Sequence, residues 1–114
     1  MIKHESNMRT DIWDHIHNGQ GKIDVLHVFE EDQMAGRGTL CAKSVFHPGD
    51  SIGVHIHDKN AEIYYVLEGE LVVIENGVEH VLRPGDAAFT ANGASHCVEN
   101  RTRQNAVMLA IIMK

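Results

Sequence analysis

The stretch Gly49-Asp50-Ser51-Ile52-Gly53-Val54-His55-Ile56-His57-Asp58-Lys59-Asn60-Ala61-Glu62-Ile63-Tyr64-Tyr65-Val66-Leu67-Glu68-Gly69 decides the fold. On a helix, residues i and i+2 point in nearly opposite directions. On a strand they share a face, because the side-chain period is two. The β-branched and aromatic run that closes the stretch reads as a strand. So His55 and His57 share a strand face and converge on one point. Asp58-Lys59-Asn60 is turn chemistry, and it returns the chain so that Glu62 comes beside the histidine pair on the adjacent strand.

Outward from this stretch the pattern stays β. Strands are expected over 23–29, 39–47, 52–57, 62–68, 70–75, 78–83, 86–90, 95–100 and 106–113. Pro48-Gly49-Asp50 and Pro84-Gly85-Asp86 place Pro where φ is fixed and Gly where φ turns positive. Asn76-Gly77 between two apolar runs is a strong hairpin signal. Nine short strands imply a sandwich or barrel. The Pro-Gly-Asp tripeptide recurs 36 positions on, and a jelly roll of two Greek keys accommodates such a quasi-repeat. Residues 1–22 are polar and read as an N-terminal arm or a short helix over 8–16. Residues 23–114 form the β-barrel domain. No long period-3.6 pattern occurs.

Farther on, His96 lies in the strand after Gly93. Alone, each of these residues has an ordinary explanation: solvent-facing strand histidines, a surface carboxylate, a hydrogen-bonded rim histidine. Together, three neutral imidazoles and one carboxylate suit a divalent transition metal, whereas Mg²⁺ and Ca²⁺ prefer all-oxygen sites.

The joint spacing is far more specific. The first part reads Gly49, five residues, His55-x-His57, four residues, Glu62, six residues, Gly69. The second reads Gly85, five residues, Ala91-x-Gly93, two residues, His96, three residues, Asn100. These strings resemble the two signature motifs of the cupin superfamily over residues 49–100, 52 of the 114. One position departs: the second motif usually has Pro where this chain has Ala91. The 15 residues 70–84 between the motifs leave room for one hairpin, as in small single-domain microbial cupins.

The resemblance implies an all-β fold, a double-stranded β-helix (jelly-roll) cupin barrel in one domain with a short N-terminal arm. It implies His55, His57, Glu62 and His96 as ligands of one divalent transition metal per chain, among Mn, Fe, Co, Ni, Cu and Zn. Asn100 is read as structural. If Glu62 points inward, so do Tyr64 and Val66, which makes Tyr64 the polar aromatic beside the metal. His15-x-His17 has strand-pair spacing, but it lies in the polar N-terminal segment with no third ligand at a motif distance. His4, His27, His47 and His80 are read as surface or rim residues, and Lys43 as outward-facing.

Ile63–Leu67, Leu71–Ile74 and Val107–Ile112 are apolar on both faces. A sheet solvated on one face alternates, so part of the outer surface is expected to be covered by the arm or by a second subunit, and a homodimer is expected. The formal net charge is −6, from 10 Lys and Arg against 16 Asp and Glu. That balance argues against nucleic acid and anionic membranes as partners. The longest apolar run, Ala106–Met113, is far short of the about 20 residues that span a bilayer. With no leader-like segment and two cysteines at no metal spacing, a cytoplasmic protein with reduced thiols is expected.

Cupin folds host dioxygenases, decarboxylases, isomerases and non-catalytic binding domains, so fold does not decide function. Two classes stay open. One is a mononuclear metalloenzyme acting on a small oxygenated or carboxylate metabolite. The other is a non-catalytic binding or sensing module using the same pocket.

Overall fold

A computed structural model describes residues 1–114. Ten strands form: β1 (Arg9–Asp14), β2 (Lys22–Phe29), β3 (Gly38–Phe46), β4 (Ser51–His57), β5 (Ala61–Glu68), β6 (Leu71–Glu75), β7 (Val78–Leu82), β8 (Ala87–Thr90), β9 (Ala94–Glu99) and β10 (Ala106–Met113). They make a six-stranded sheet in the order β1-β2-β3-β10-β5-β8 and a four-stranded sheet in the order β4-β9-β6-β7. Every pairing is antiparallel. The architecture is an all-β jelly roll, and the nine strands expected from the sequence fall within one residue of those observed.

The turns form as their chemistry dictates. In each Pro-Gly-Asp turn the Asp closes the loop twice. Asp50 N–H donates to the His47 carbonyl at 3.0 Å and its Oδ2 accepts from His47 N–H at 2.9 Å. Asp86 does the same with Arg83, at 2.9 and 2.8 Å. Gly49 and Gly85 sit at φ +86° and +94°, where a Cβ is disfavoured. The two halves of the chain therefore turn alike, as the quasi-repeat requires. Asn100 is structural: its amide donates to the carbonyls of Phe46 and Gln104 at 2.9 and 2.8 Å.

The N-terminal segment differs from one of its two expected forms. Residues 9–14 are not helical; they form β1, an edge strand paired to β2 in register Trp13↔Ile23. The alternation is hidden in the sequence because only one apolar residue, Trp13, faces inward while Ile12 is 60% exposed. Arg9, Asp11 and Asp14 charge the strand, a common way to keep a sheet edge from pairing further. His27 is also not a rim residue. It is buried on the inner face of β2, edge-on to Trp13 at 6.3 Å and 3.5 Å from Asp11 Oδ2.

Thirteen side chains form one apolar cluster between the sheets. It borders a group of buried polar side chains, with Tyr64 stacked on His96 where the two meet. Along β4 the interior runs from Ile52 to His55 and His57, along β5 from Val66 to Glu62, and along β9 from Val98 to His96. The apolar cluster supplies the folding free energy, about 1.5–3 kcal/mol for each large side chain. It thereby holds a polar cluster whose own burial is unfavourable.

Candidate metal centre

His55 and His57 come from β4, His96 from β9 and Glu62 from β5. His55 and His96 are cross-strand partners. Their alignment depends on a bulge. Between the pairs Ile52↔Val98 and His55↔His96, β4 spends one residue more than β9. In a regular strand Ile52 and His55, three positions apart, would face opposite ways. The bulge at Gly53-Val54 turns His55 and His57 inward, a common use of bulges beside functional sites. Glu62 does not approach on a neighbouring strand of the same sheet. The turn through Lys59, at φ +66°, carries the chain to the other sheet, and Glu62 faces the three histidines from across the barrel.

One donor atom from each of the four residues lies within 4.8 Å of all the others. Glu62 Oε1 is 3.0 Å from His57 Nε2, 3.0 Å from His96 Nε2 and 3.7 Å from His55 Nε2. His55 Nε2 and His96 Nε2 are 2.9 Å apart. Neighbouring donors on an ion bound at about 2.1 Å stand about 3 Å apart, so the spacing fits a metal. The buried His57 Nε2 and Glu62 Oε1 make no hydrogen bond despite their proximity. Buried polar atoms are nearly always paired, and two that share no bond but aim at a common centre fit an ion there.

The outer nitrogens hold the rings so that the inner ones face the cluster. His55 Nδ1 lies 2.8 Å from the Gly53 carbonyl, His57 Nδ1 3.0 Å from Asn60 Oδ1, and His96 Nδ1 3.0 Å from Thr90 Oγ1. Carbonyl oxygens only accept, so in the neutral rings of His55 and His57 Nδ1 carries the proton and Nε2 presents its lone pair. Tyr64 is fully buried, stacks on His96 at 4.7 Å with planes 5° apart, and places its hydroxyl 3.3 Å from His96 Nε2.

Burial, the largest influence, pushes the Glu62 carboxyl up, but the neighbouring His55, His96 and His57 imidazoles reverse this and hold it at about 2. Burial pushes His55 down, yet the Glu62 carboxylate and the Gly53 carbonyl leave it raised. Burial and the Glu62 charge push the Tyr64 phenol well up, so it stays a neutral donor. The second-motif turn with Ala91 is closed without proline. Asn92 and Gly93 take φ +58° and +80°, and Gly93 N–H donates to the His57 carbonyl at 2.9 Å.

All four expected ligands and Tyr64 are thus brought together. No motif spacing in the sequence points to Asn60, Thr90, the Gly53 carbonyl or the stacking of His17 on His55. Asn60 sits in the turn between two expected ligands, and that placement was the available signal. The His17 ring stacks on His55 at 4.2 Å with planes 14° apart; burial and His55 beside it lower its proton affinity.

An all-β jelly roll with an interior three-histidine, one-carboxylate cluster defines the cupin class. The cupin-domain family model matches residues 42–112, and the chain belongs to that family. It is 32% identical over 99% of its length to the oxalate-binding protein of Thermotoga maritima, covering 93% of that protein. A crystal structure of a predicted oxalate decarboxylase from the same organism superposes with TM-score 0.93 at 32% identity, over 99% of this chain and 98% of that one. The polyketide cyclase RemF of Streptomyces resistomycificus shares the fold, with TM-score 0.79 at 20% identity, over 99% of this chain and 79% of that one.

Proposed function

We propose that His55, His57, Glu62 and His96 hold one divalent transition metal ion, and that the chain binds oxalate or a similar small dicarboxylate there. The observation that carries this reading is the pair of buried, unbonded donor atoms, His57 Nε2 and Glu62 Oε1. A bound metal would supply a Lewis-acid or redox centre with positions left open beyond four protein ligands. The donor set suits Mn, Fe, Co, Ni, Cu or Zn. The similarity to an oxalate-binding protein supports the ligand class.

The protein's own groups favour binding over turnover. Glu62 stays a carboxylate and is committed to the cluster. Tyr64 can donate a hydrogen bond to a bound carboxylate, but a phenol held this high is a poor proton donor near neutral pH. His57, Glu62 and His96 side chains are 6%, 5% and 1% exposed, which restricts the ligand to a few atoms. The metalloenzyme is the second reading, favoured by the burial that excludes water. Elemental analysis is expected to find about one ion per chain, and the loaded protein to bind oxalate without forming product. Turnover of oxalate or of a small keto or hydroxy acid, lost on Glu62→Gln, would establish the enzyme instead.

We also propose a homodimer through the outer face of the six-stranded sheet. The N-terminal residues cover part of that face: Lys3 lies 5.9 Å over the Phe29 ring, and Glu5 is 3.5 Å from Lys43, which faces outward. Across the same register row stand Leu26, Lys43, Leu109 and Tyr65. Tyr65, Leu67 and Phe89 remain 41%, 40% and 58% exposed. A contiguous apolar patch of this kind is a usual sign of an interface. Light scattering is expected to give twice the 12.7 kDa chain mass, and Tyr65→Arg to give a folded monomer. A wild-type monomer at micromolar concentration would refute the dimer. The charge of −6 disfavours nucleic acid, and no helix is long and apolar enough to cross a membrane. With both cysteines free, we place the protein in the cytoplasm.

A further inference from the structure

The segment around His17 takes a backbone conformation that is uncommon outside glycine, though His and Asn adopt it more readily than most residues. His15, His17 and Asn18 take φ of 50°, 52° and 61°, a region disfavoured for side chains with a Cβ and often retained where function requires it. Contacts with β4 hold the segment there. Ser51 N–H donates to the Gln20 carbonyl at 2.9 Å, and Gln20 N–H donates to Ser51 Oγ at 2.8 Å. Two glycines permit the approach. A Cβ on Gly53 would stand 1.8 Å from the His17 carbonyl oxygen, and one on Gly19 would stand 2.2 Å from the Ser51 carbonyl oxygen. The outcome is the parallel stack of His17 on His55. Gly53 thus serves the site twice: its carbonyl accepts from His55 Nδ1, and its missing side chain admits the His17 backbone.

We propose that His17 is a positioning residue that clamps the ligand ring of His55 from outside the barrel. The proposal rests on the metal-binding reading above. His57 and His96 have 6% and 1% of their side chains exposed, so interior packing fixes their rings. His55, at 12%, is the most open of the four, and His17 supplies a wall on its outer side. The left-handed backbone and the glycine pair place the His17 ring over that ligand.

The test uses the full chain as wild type, His17→Ala, His17→Phe and Gly19→Ala. Each is loaded with Co(II), and two quantities are read: the visible spectrum of the bound ion and its release rate to excess chelator. Residues that orient metal ligands typically change affinity 10–100-fold, so His17→Ala and Gly19→Ala are expected to release Co(II) about tenfold faster or more, with an altered spectrum. His17→Phe keeps a flat ring on His55 and is expected to stay within about twofold of wild type. The metal-free His17→Ala and His17→Phe chains are expected to melt together, which separates ring positioning from fold stability. Wild-type spectrum and release rate in His17→Ala would overturn the proposal, as would a His17→Phe variant as defective as His17→Ala. A wild-type chain that takes up no Co(II) would instead overturn the metal reading.

Discussion

Replacing His57 with alanine is expected to strip the metal from the chain while leaving the barrel folded. His57 Nε2 is one of the two buried atoms with no partner of its own, and its ring is fixed from behind by Asn60. Removing it takes away a donor and leaves Glu62 Oε1 facing two imidazoles and a void. Disturbing a residue that merely orients a ligand costs 10–100-fold in metal affinity, so losing a ligand should cost more than about 100-fold. The apolar cluster contains none of the four ligands, and only Tyr64 of its members stacks on one. The variant treated with chelator should therefore melt as a cooperative unit. Full metal occupancy in His57→Ala, measured by elemental analysis, would remove His57 from the ligand set.

The response to pH is expected to have opposite signs with and without metal. In the metal-free chain His55 and His47 have raised proton affinities, His55 through Glu62 and Gly53 overcoming burial, His47 chiefly through its hydrogen bond to Asp50. A group raised above its unfolded value contributes stability that is complete below that value, about 6.5 for imidazole, and lost as pH rises through the folded value. His55 and His47 should therefore add stability on going from pH 8 to pH 6, and His17, whose proton affinity burial and His55 lower, offsets part of that gain. Glu62 works the other way: held at about 2, it contributes stability above its unfolded value and loses it only as pH falls through the folded one. It remains a carboxylate throughout that window. The loaded chain should lose stability over the same range, because protons compete with metal for the three imidazoles. Each proton that displaces the ion from an imidazole lowers the affinity further, so release should be steep and complete by about pH 4 in chelator. Thermal melts of both forms at several pH values check this. Equal slopes would show that metal binding does not rest on the imidazoles.

The sequence displays the strands because their interior positions are strongly apolar and their turns carry Pro-Gly-Asp or Asn-Gly. It displays the ligands because a His-x-His pair, a carboxylate and a later histidine fall at family spacing. What escapes it is whatever tertiary contact decides. β1 reads as an arm because an edge strand needs one good inward side chain, and Trp13 suffices. The bulge at Gly53-Val54 is silent in sequence, since it exists only as a mismatch against β9. The sequence reads Glu62 as lying on an adjacent strand, but a turn of given length does not say which sheet the chain enters. His27 looks like a polar strand residue until Trp13 and Asp11 close over it. His17 looked like half of an isolated pair; contacts between glycines distant in sequence bring it to His55.

If these four side chains bind a metal and a small dicarboxylate is held there, binding of the dicarboxylate depends on the metal. Calorimetric titration of oxalate into the metal-loaded and metal-free protein tests that dependence most directly. Saturable binding at one oxalate per loaded chain is expected, with no binding to the metal-free chain. Equal oxalate binding by both forms, or none by a fully loaded protein, would contradict it.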